Sequence, residues 1–242
     1  MYIYGKNVAR EKLRSGEDIF RVFLSRKFHD EEILKMIKSL GLKTVYLDSK
    51  AMDRKVPLNH QGIILEIDEV STYSLHDFLK SVEDKDRVLV VMLDHLEDPH
   101  NFGAIIRTSE ALGVAGIIIP NDRSVTVNST VVKTSAGAIS YMKIVRVPNL
   151  ASTITKLKKE GFWIVATDMD GEDYSLIDYP NKSCLIIGNE GKGISDILLK
   201  NSDFVASIPM CGKINSLNAS VSCGIILSEM VLSERRGNDG IK

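Results

Sequence analysis

Apolar and polar positions along the chain follow two periods, and the switches between them mark the elements. Val8 to Leu13 has helical spacing with Gly16 as its stop, and Ile19 to Leu24 reads as a strand. Asp30 stands where it would cap a helix from Glu31 to Leu40, with Gly41 just past its end. Thr44 to Leu47 and Gly62 to Ile67 are strand-like. Charge rises over residues 68–87, where Ser71 to Val82 reads as a connecting helix. A fully apolar strand follows, Val88 to Leu93, then a helix from Phe102 to Leu112 stopped by Gly113, and a strand from Gly116 to Ile119. Lys143 to Val147, Trp163 to Thr167, Cys184 to Ile187 and Phe204 to Ile208 are four more strands. Ala151 to Lys159 is a helix between the first two, and Leu217 to Glu234 is a long closing helix. Short apolar strands alternating with helices predict an α/β fold with a parallel sheet covered on both faces. Such sheets bind ligands beyond the carboxyl ends of their strands. The segments after Leu93, Thr167, Ile187 and Ile208 are therefore the places to look. The same pattern divides the chain into an α/β unit over 1–70, a linker over 71–86 and a larger α/β domain over 87–242.

Composition changes this picture only in part. Of 242 residues, 44% are apolar and 26% charged, as in ordinary globular proteins. The formal net charge is −1, but residues 1–60 hold 13 Lys and Arg against 8 Asp and Glu. A basic amino-terminal part fits a polyanionic partner or a solvated surface. Glu66, Asp68 and Glu69 reduce the surplus from +5 to +2 when the window is extended to residue 70. Cys184, Cys211 and Cys223 lack metal-ligand spacing, which points to a reducing compartment and no metal. His29, His60, His76, His95 and His100 show no ligand spacing either. The amino terminus has no apolar signal region, and no apolar run is long enough to span a bilayer. The expected location is the cytoplasm, with no membrane partner.

Three segments could carry chemistry. In Asp98 to Thr108, Asn101 is placed to cap a helix and Arg107 follows within an apolar stretch, where it needs an anion or a route to solvent. In Cys184 to Ser195, a buried strand runs into the turn Gly188-Asn189-Glu190-Gly191-Lys192-Gly193. That turn lacks both P-loop and dinucleotide spacing, and Glu190 would repel phosphate. In Ile208 to Ser220, Asn215, Ser216, Asn218 and Ser220 crowd the start of a helix beyond the needs of one cap. Each segment alone is also what a cap or a tight turn requires.

Together, in order, spacing and the residues Asn101, Arg107, Asn189-Glu190-Gly191, Ser216 and Asn218, these segments resemble the motifs of the SpoU, or TrmH-type, branch of the SPOUT RNA methyltransferases. Lys133 to Ala138 is similar to a further family segment, and the amino-terminal part, with His60-Gln61-Gly62-Ile63, resembles the L30e-like RNA-binding domain of the RlmB-type subgroup. The resemblance implies a carboxy-terminal α/β trefoil knot, a homodimer, and S-adenosylmethionine as methyl donor to a ribose 2′-hydroxyl. The implied substrate is a guanosine of 23S rRNA in the peptidyl-transferase region. The alternatives are tRNA, the adenosine-directed rRNA enzymes of the resistance type, and a non-catalytic ribosome-assembly protein. By position, Thr167, Gly188, Asn189, Glu190, Gly191, Ile208, Met210, Ser216 and Leu217 would hold the cofactor. Arg107, Asn101, Glu190, Ser216 and Asn218 would be catalytic, and Lys6, Arg10, Lys12, Arg14 and Arg107 would contact RNA. The family proposal makes Arg107 a base. A guanidinium offers five N–H donors and no acceptor, so it is better suited to clamp a phosphate and stabilise a developing alkoxide.

Overall fold

Two sheets, one for each of two compact units, organise the molecule. The computed structural model describes residues 1–15, 19–68, 70–213 and 216–239. Gly16, expected to stop the first helix, and Asn215, expected at the start of the last, lie outside the described residues. In chain order the first elements are β1 (Tyr2–Tyr4), α1 (Lys6–Ser15), β2 (Ile19–Ser25), α2 (Glu31–Ser39), β3 (Thr44–Leu47), α3 (Ser49–Lys55) and β4 (Ile63–Ile67). Then come α4 (Leu75–Lys80), β5 (Val88–Leu93), α5 (Pro99–Ala111), β6 (Gly116–Pro120), α6 (Ser129–Thr134), β7 (Ile144–Val147) and α7 (Leu150–Lys159). The last are β8 (Trp163–Asp173), β9 (Lys182–Ile187), α8 (Asp196–Lys200), β10 (Phe204–Ser207) and α9 (Ala219–Asp239).

One unit comprises Met1–Ser71 together with Thr126–Tyr141. Its sheet has the order β1-β4-β2-β3, antiparallel except for the β2–β3 pair. Asp30 caps α2 by accepting from the Ile33 amide at 3.2 Å, and the helix buries Ile33 and Ile37. The apolar pattern misses β1, which has three residues, and α3, which buries only Met52. The segment 126–141 was expected within the larger domain, yet it packs in this unit. Lys133 Nζ stands 4.9 Å from the Tyr4 ring centroid, and the Tyr141 hydroxyl donates to Glu11 at 3.2 Å. Gly137 has φ +93°, and a Cβ there would lie 2.5 Å from the Glu11 Cβ, so a side chain is excluded twice over.

The other unit comprises Thr72–Val125 and Met142–Lys242. Its six strands, ordered β10-β8-β9-β5-β6-β7, all pair in parallel. Every residue of the central strand β5 is buried, as a strand covered on both faces requires. Phe78, Val90, Met92, Ile118, Leu157, Ile164 and Ile186 share one core. Residues 71–86, expected as a linker with a helix from Ser71 to Val82, hold a shorter helix. Ser74 caps α4, while Tyr73 adds an isolated parallel bridge to Val145. β8 runs past the expected Thr167. Its register to β10 jumps from Ala166 opposite Val205 to Glu172 opposite Ala206, so residues 167–171 form an arch in β8 opposite a single step of β10.

All three cysteines are free, with Cys184 and Cys223 buried and Cys211 exposed. Burial pushes the Cys223 thiol up to about 12 and that of Cys184 higher still. Titration of the native protein with a disulfide reagent near neutral pH will therefore release one equivalent rapidly, and a Cys211→Ser variant will release none.

Candidate functional site

The site forms where three strands end. After β5, Asp94 is 2% exposed. Its Oδ2 accepts from the Ser195 amide at 2.8 Å, and its Oδ1 lies 2.5 Å from His95 Nδ1. His95 holds φ +56°, uncommon for a residue other than glycine, and its carbonyl accepts from Asn189 Nδ2 at 2.9 Å. Asp94 and His95 thus fasten both ends of the loop that follows β9. Sequence reading pointed to the segment after Leu93 but passed over these two residues.

Asn101 does not cap α5. Asp98 does, accepting from the His100 amide at 2.9 Å, and Pro99 occupies the first turn, where its missing N–H costs nothing. Asn101 therefore sits inside the helix with its side chain free to turn inward. Beyond β9, Asn189 and Gly193 exchange backbone hydrogen bonds of 3.1 and 2.9 Å, closing the turn on itself. Asn189 Oδ1 accepts from the Gly191 amide at 2.9 Å. A Cβ on Gly188 would come within 2.6 Å of the Gly193 carbonyl oxygen and the Ile194 nitrogen. Beyond β10, Asn218 caps α9, which starts at Ala219 rather than at the expected Leu217. The Asn218 Oδ1 accepts from the Ser220 amide at 2.9 Å and the Ser220 hydroxyl at 2.6 Å.

These pieces meet in one chain of hydrogen bonds. Asn218 Nδ2 donates to Asn101 Oδ1 at 2.8 Å, and Asn101 Nδ2 donates to Glu190 Oε1 at 2.6 Å. Asn101 is buried and serves both neighbours. An Asn101→Ala variant leaves Glu190 and Asn218 each short of a partner and should lose about 1–3 kcal/mol of stability, read as a lower urea midpoint at unchanged slope.

Beside this chain opens a cavity of about 680 Å³. Thr167, Gly188, Asn189, Glu190, Gly191, Ile208, Met210, Ser216 and Leu217 all line it, so the structure brings every expected cofactor residue around one space. Asp168 and Met169, carried by the arch of β8, and Lys192 line it as well. The length of β8 and its register jump were not legible as strand periodicity. Among the described residues, the charged lining is two carboxylates, Asp168 and Glu190, against one lysine. That donor set suits a cation or zwitterion with hydroxyl groups and opposes a polyphosphate. Among the described residues, no group of three or more His, Cys, Asp or Glu could hold a metal ion.

Arg107 lies nearly two turns along α5 from Asn101 and is exposed, so its route to solvent is direct. It has no ion pair among the described residues. The cations of α1 are differently placed. Arg10 bonds Glu32 at 2.8 Å and Asp30 at 3.3 Å, Arg14 bonds Glu11 at 2.8 Å and Glu32 at 3.1 Å, and Lys6 lies 3.7 Å from Asp30. Lys12 stands half-buried on the same helix. No described helix is long and apolar enough to cross a membrane.

Comparison with known proteins gives the fold and the site their context. The model of the SpoU rRNA methylase family matches residues 88–228, and a model described as RNA 2′-O ribose methyltransferase substrate binding matches residues 2–73. The TrmH family protein YacO of Bacillus subtilis is 36% identical over 234 residues, covering 95% of this chain and 94% of that protein. A TrmH family relative from Staphylococcus aureus is 38% identical over 233 residues, covering 94% of each. Among solved structures, the AdoMet-bound rRNA methyltransferase of Sinorhizobium meliloti is 27% identical, with a TM-score of 0.78 over 96% of this chain and 87% of that one. The SpoU methyltransferase AviRb of Streptomyces viridochromogenes shares the fold, with a TM-score of 0.81 at 23% identity over 98% of this chain and 91% of its own. With a family model across most of the sheet-and-cavity unit and relatives matched nearly end to end, this chain belongs to the SpoU rRNA methylase family.

Proposed function

We propose that this chain transfers a methyl group from S-adenosylmethionine to a ribose 2′-hydroxyl of RNA, and that the acceptor is a guanosine of 23S rRNA in the peptidyl-transferase region. The observation that carries the reading is the hydrogen-bonded line Asn218–Asn101–Glu190 at the edge of a cavity lined by the three loops. The cavity suits the cofactor on its own chemistry. Ile187, Ile208 and Leu217 offer apolar surface to a purine, and Gly188, which has no side chain, lines the same space. Asp168 and Glu190 favour a positive centre.

When bound, the cofactor supplies a methyl group already activated as a sulfonium. The chain's own work is then orientation and charge. The acceptor oxygen must be held in line, about 3 Å from the methyl carbon. Asn101, fixed at both ends of its amide, orients the ribose or the Arg107 side chain. Arg107 grips an RNA phosphate through its planar fork and stabilises the developing charge on the oxygen, whose proton passes to solvent water. Glu190 and Asn218 hold the loops, and Ser216 orients the bound nucleotide or cofactor. The same reading takes the loops after β9 and β10 as the trefoil knot, the active species as a homodimer and the compartment as the cytoplasm.

Relatives' names cover tRNA and rRNA alike, so the acceptor is the part to be tested first. Tritium from labelled S-adenosylmethionine should pass to deproteinised 23S rRNA, and the labelled position should resist alkaline cleavage on its 3′ side. Transfer to tRNA alone would move the acceptor, label in a base would refute 2′-O chemistry, and absence of transfer to any RNA would leave a non-catalytic RNA-binding protein.

A further inference from the structure

We infer that the amino-terminal unit grips RNA phosphate at the end of its sheet around Arg26, Lys27, Lys50 and Arg54, and that the arginines of α1 serve the fold. The inference rests on the RNA reading above and deepens it.

The argument begins with compensation of charge. On α1, Lys6, Arg10 and Arg14 face Glu11, Asp30 and Glu32, three cations against three carboxylates, and half-buried Lys12 is the one cation of the helix without an ion pair among the described residues. Arg10 is only 23% exposed along its side chain and Asp30 only 13%, so this pair ties α1 to the cap of α2. A field so cancelled draws little polyanion.

Arg26, Lys27, Lys50 and Arg54 differ in each respect. All four are exposed, and none has an ion pair among the described residues. Their positions converge. β2 and β3 run parallel with Ser25 opposite Leu47, and the Arg26 amide donates to the Leu47 carbonyl at 3.1 Å. That brings the turn holding Arg26 and Lys27 against the start of α3, two residues beyond Leu47. Met52 faces the sheet, so Lys50 and Arg54, one turn apart, lie on the opposite side of α3. Among the described residues, Arg54 Nε reaches only the Lys50 carbonyl, at 3.4 Å.

The carboxylates at this end are engaged locally. Asp48 Oδ1 caps α3 by accepting from the Ala51 amide at 2.8 Å, and Asp53 Oδ1 meets His60 Nε2 at 3.1 Å. The loop through His60 closes the same end, where the Ser25 amide donates to the Gly62 carbonyl at 2.8 Å. Four cations against two occupied carboxylates leave a positive surface with two guanidinium forks. Uncompensated cations release counterions from a nucleic acid, and the fork matches phosphate oxygens.

The test compares two variants of the full chain that each remove two positive charges, Lys50→Gln/Arg54→Gln and Arg10→Gln/Arg14→Gln, with deproteinised 23S rRNA as the probe. Affinity is measured across about 50–200 mM salt, where phosphate contacts show as the slope of log affinity on log salt. The 50/54 variant should lose about 1–2 from the magnitude of that slope and bind about tenfold more weakly at the middle of the range. The 10/14 variant should keep the slope and lose thermal stability. Both should bind S-adenosylmethionine as the parent does, which controls for folding. A parental slope in the 50/54 variant overturns the assignment, whatever the other variant does. Failure of the parent chain itself to bind RNA would instead overturn the RNA reading, and the parent's own titration separates the two.

Discussion

Replacing Arg107 with alanine should slow methyl transfer by about two to three orders of magnitude, in line with removal of a single preorganised charge-stabilising donor. Affinity for S-adenosylmethionine should not change, because Arg107 is absent from the cavity lining. The expectation follows from what the arginine lacks. It is exposed, without an ion pair among the described residues, and stands nearly two turns beyond Asn101 on a helix whose first turn is fixed by Asp98 and Pro99. A guanidinium so placed is ready for an incoming phosphate. Single-turnover transfer at saturating RNA reads the chemical step apart from binding. An Arg107→Lys variant retains charge without the fork and should recover only part of the loss. Full turnover by the alanine variant would remove Arg107 from the chemistry.

The second large effect is expected at Gly188. A methyl group there would press within 2.6 Å of the Gly193 carbonyl oxygen and the Ile194 nitrogen, both backbone atoms that no rotamer change can clear. The turn closed by the Asn189–Gly193 pair must open, and with it Glu190 leaves Asn101. Overpacking of this kind costs about 1–3 kcal/mol. If the cost falls on the bound form of the loop, cofactor affinity drops by about 10- to 100-fold. Calorimetric titration of Gly188→Ala with S-adenosylmethionine checks it. Parental affinity would show that the loop does not shape the binding cavity.

Much of this architecture could be read from the residues because burial on both faces writes itself as unbroken apolar runs. β5, β6 and β9 follow directly from Val88–Leu93, Gly116–Ile119 and Cys184–Ile187. The reading failed where burial is slight or polar groups set the structure. α3 buries a single methionine, and β1 is three residues long. The arch of β8 is shaped by hydrogen bonds such as that from the Ser207 hydroxyl to the Met169 carbonyl at 3.0 Å, which no periodicity reports. The cavity residues were reached only through the resemblance of the three segments to the family motifs, because glycine and asparagine after an apolar strand also make an ordinary tight turn. Asp94 was missed for a related reason. A lone carboxylate at a strand end is common, and only its two donors, the Ser195 amide and His95, set it apart. Asn101 shows the same limit. It was legible as important and misread as a cap, since Asp98, three residues earlier, takes that duty.

The membership of Thr126–Tyr141 in the amino-terminal unit bears on how such proteins can be recombined. Residues that complete this unit, Lys133 on Tyr4, Tyr141 on Glu11 and the bare Gly137, are encoded between β6 and β7 of the other. A chimera spliced at a single joint near residue 71 would inherit one parent's Glu11 and another parent's glycine. Exchange of substrate preference between relatives therefore calls for two simultaneous grafts, and the two stretches are expected to drift in concert.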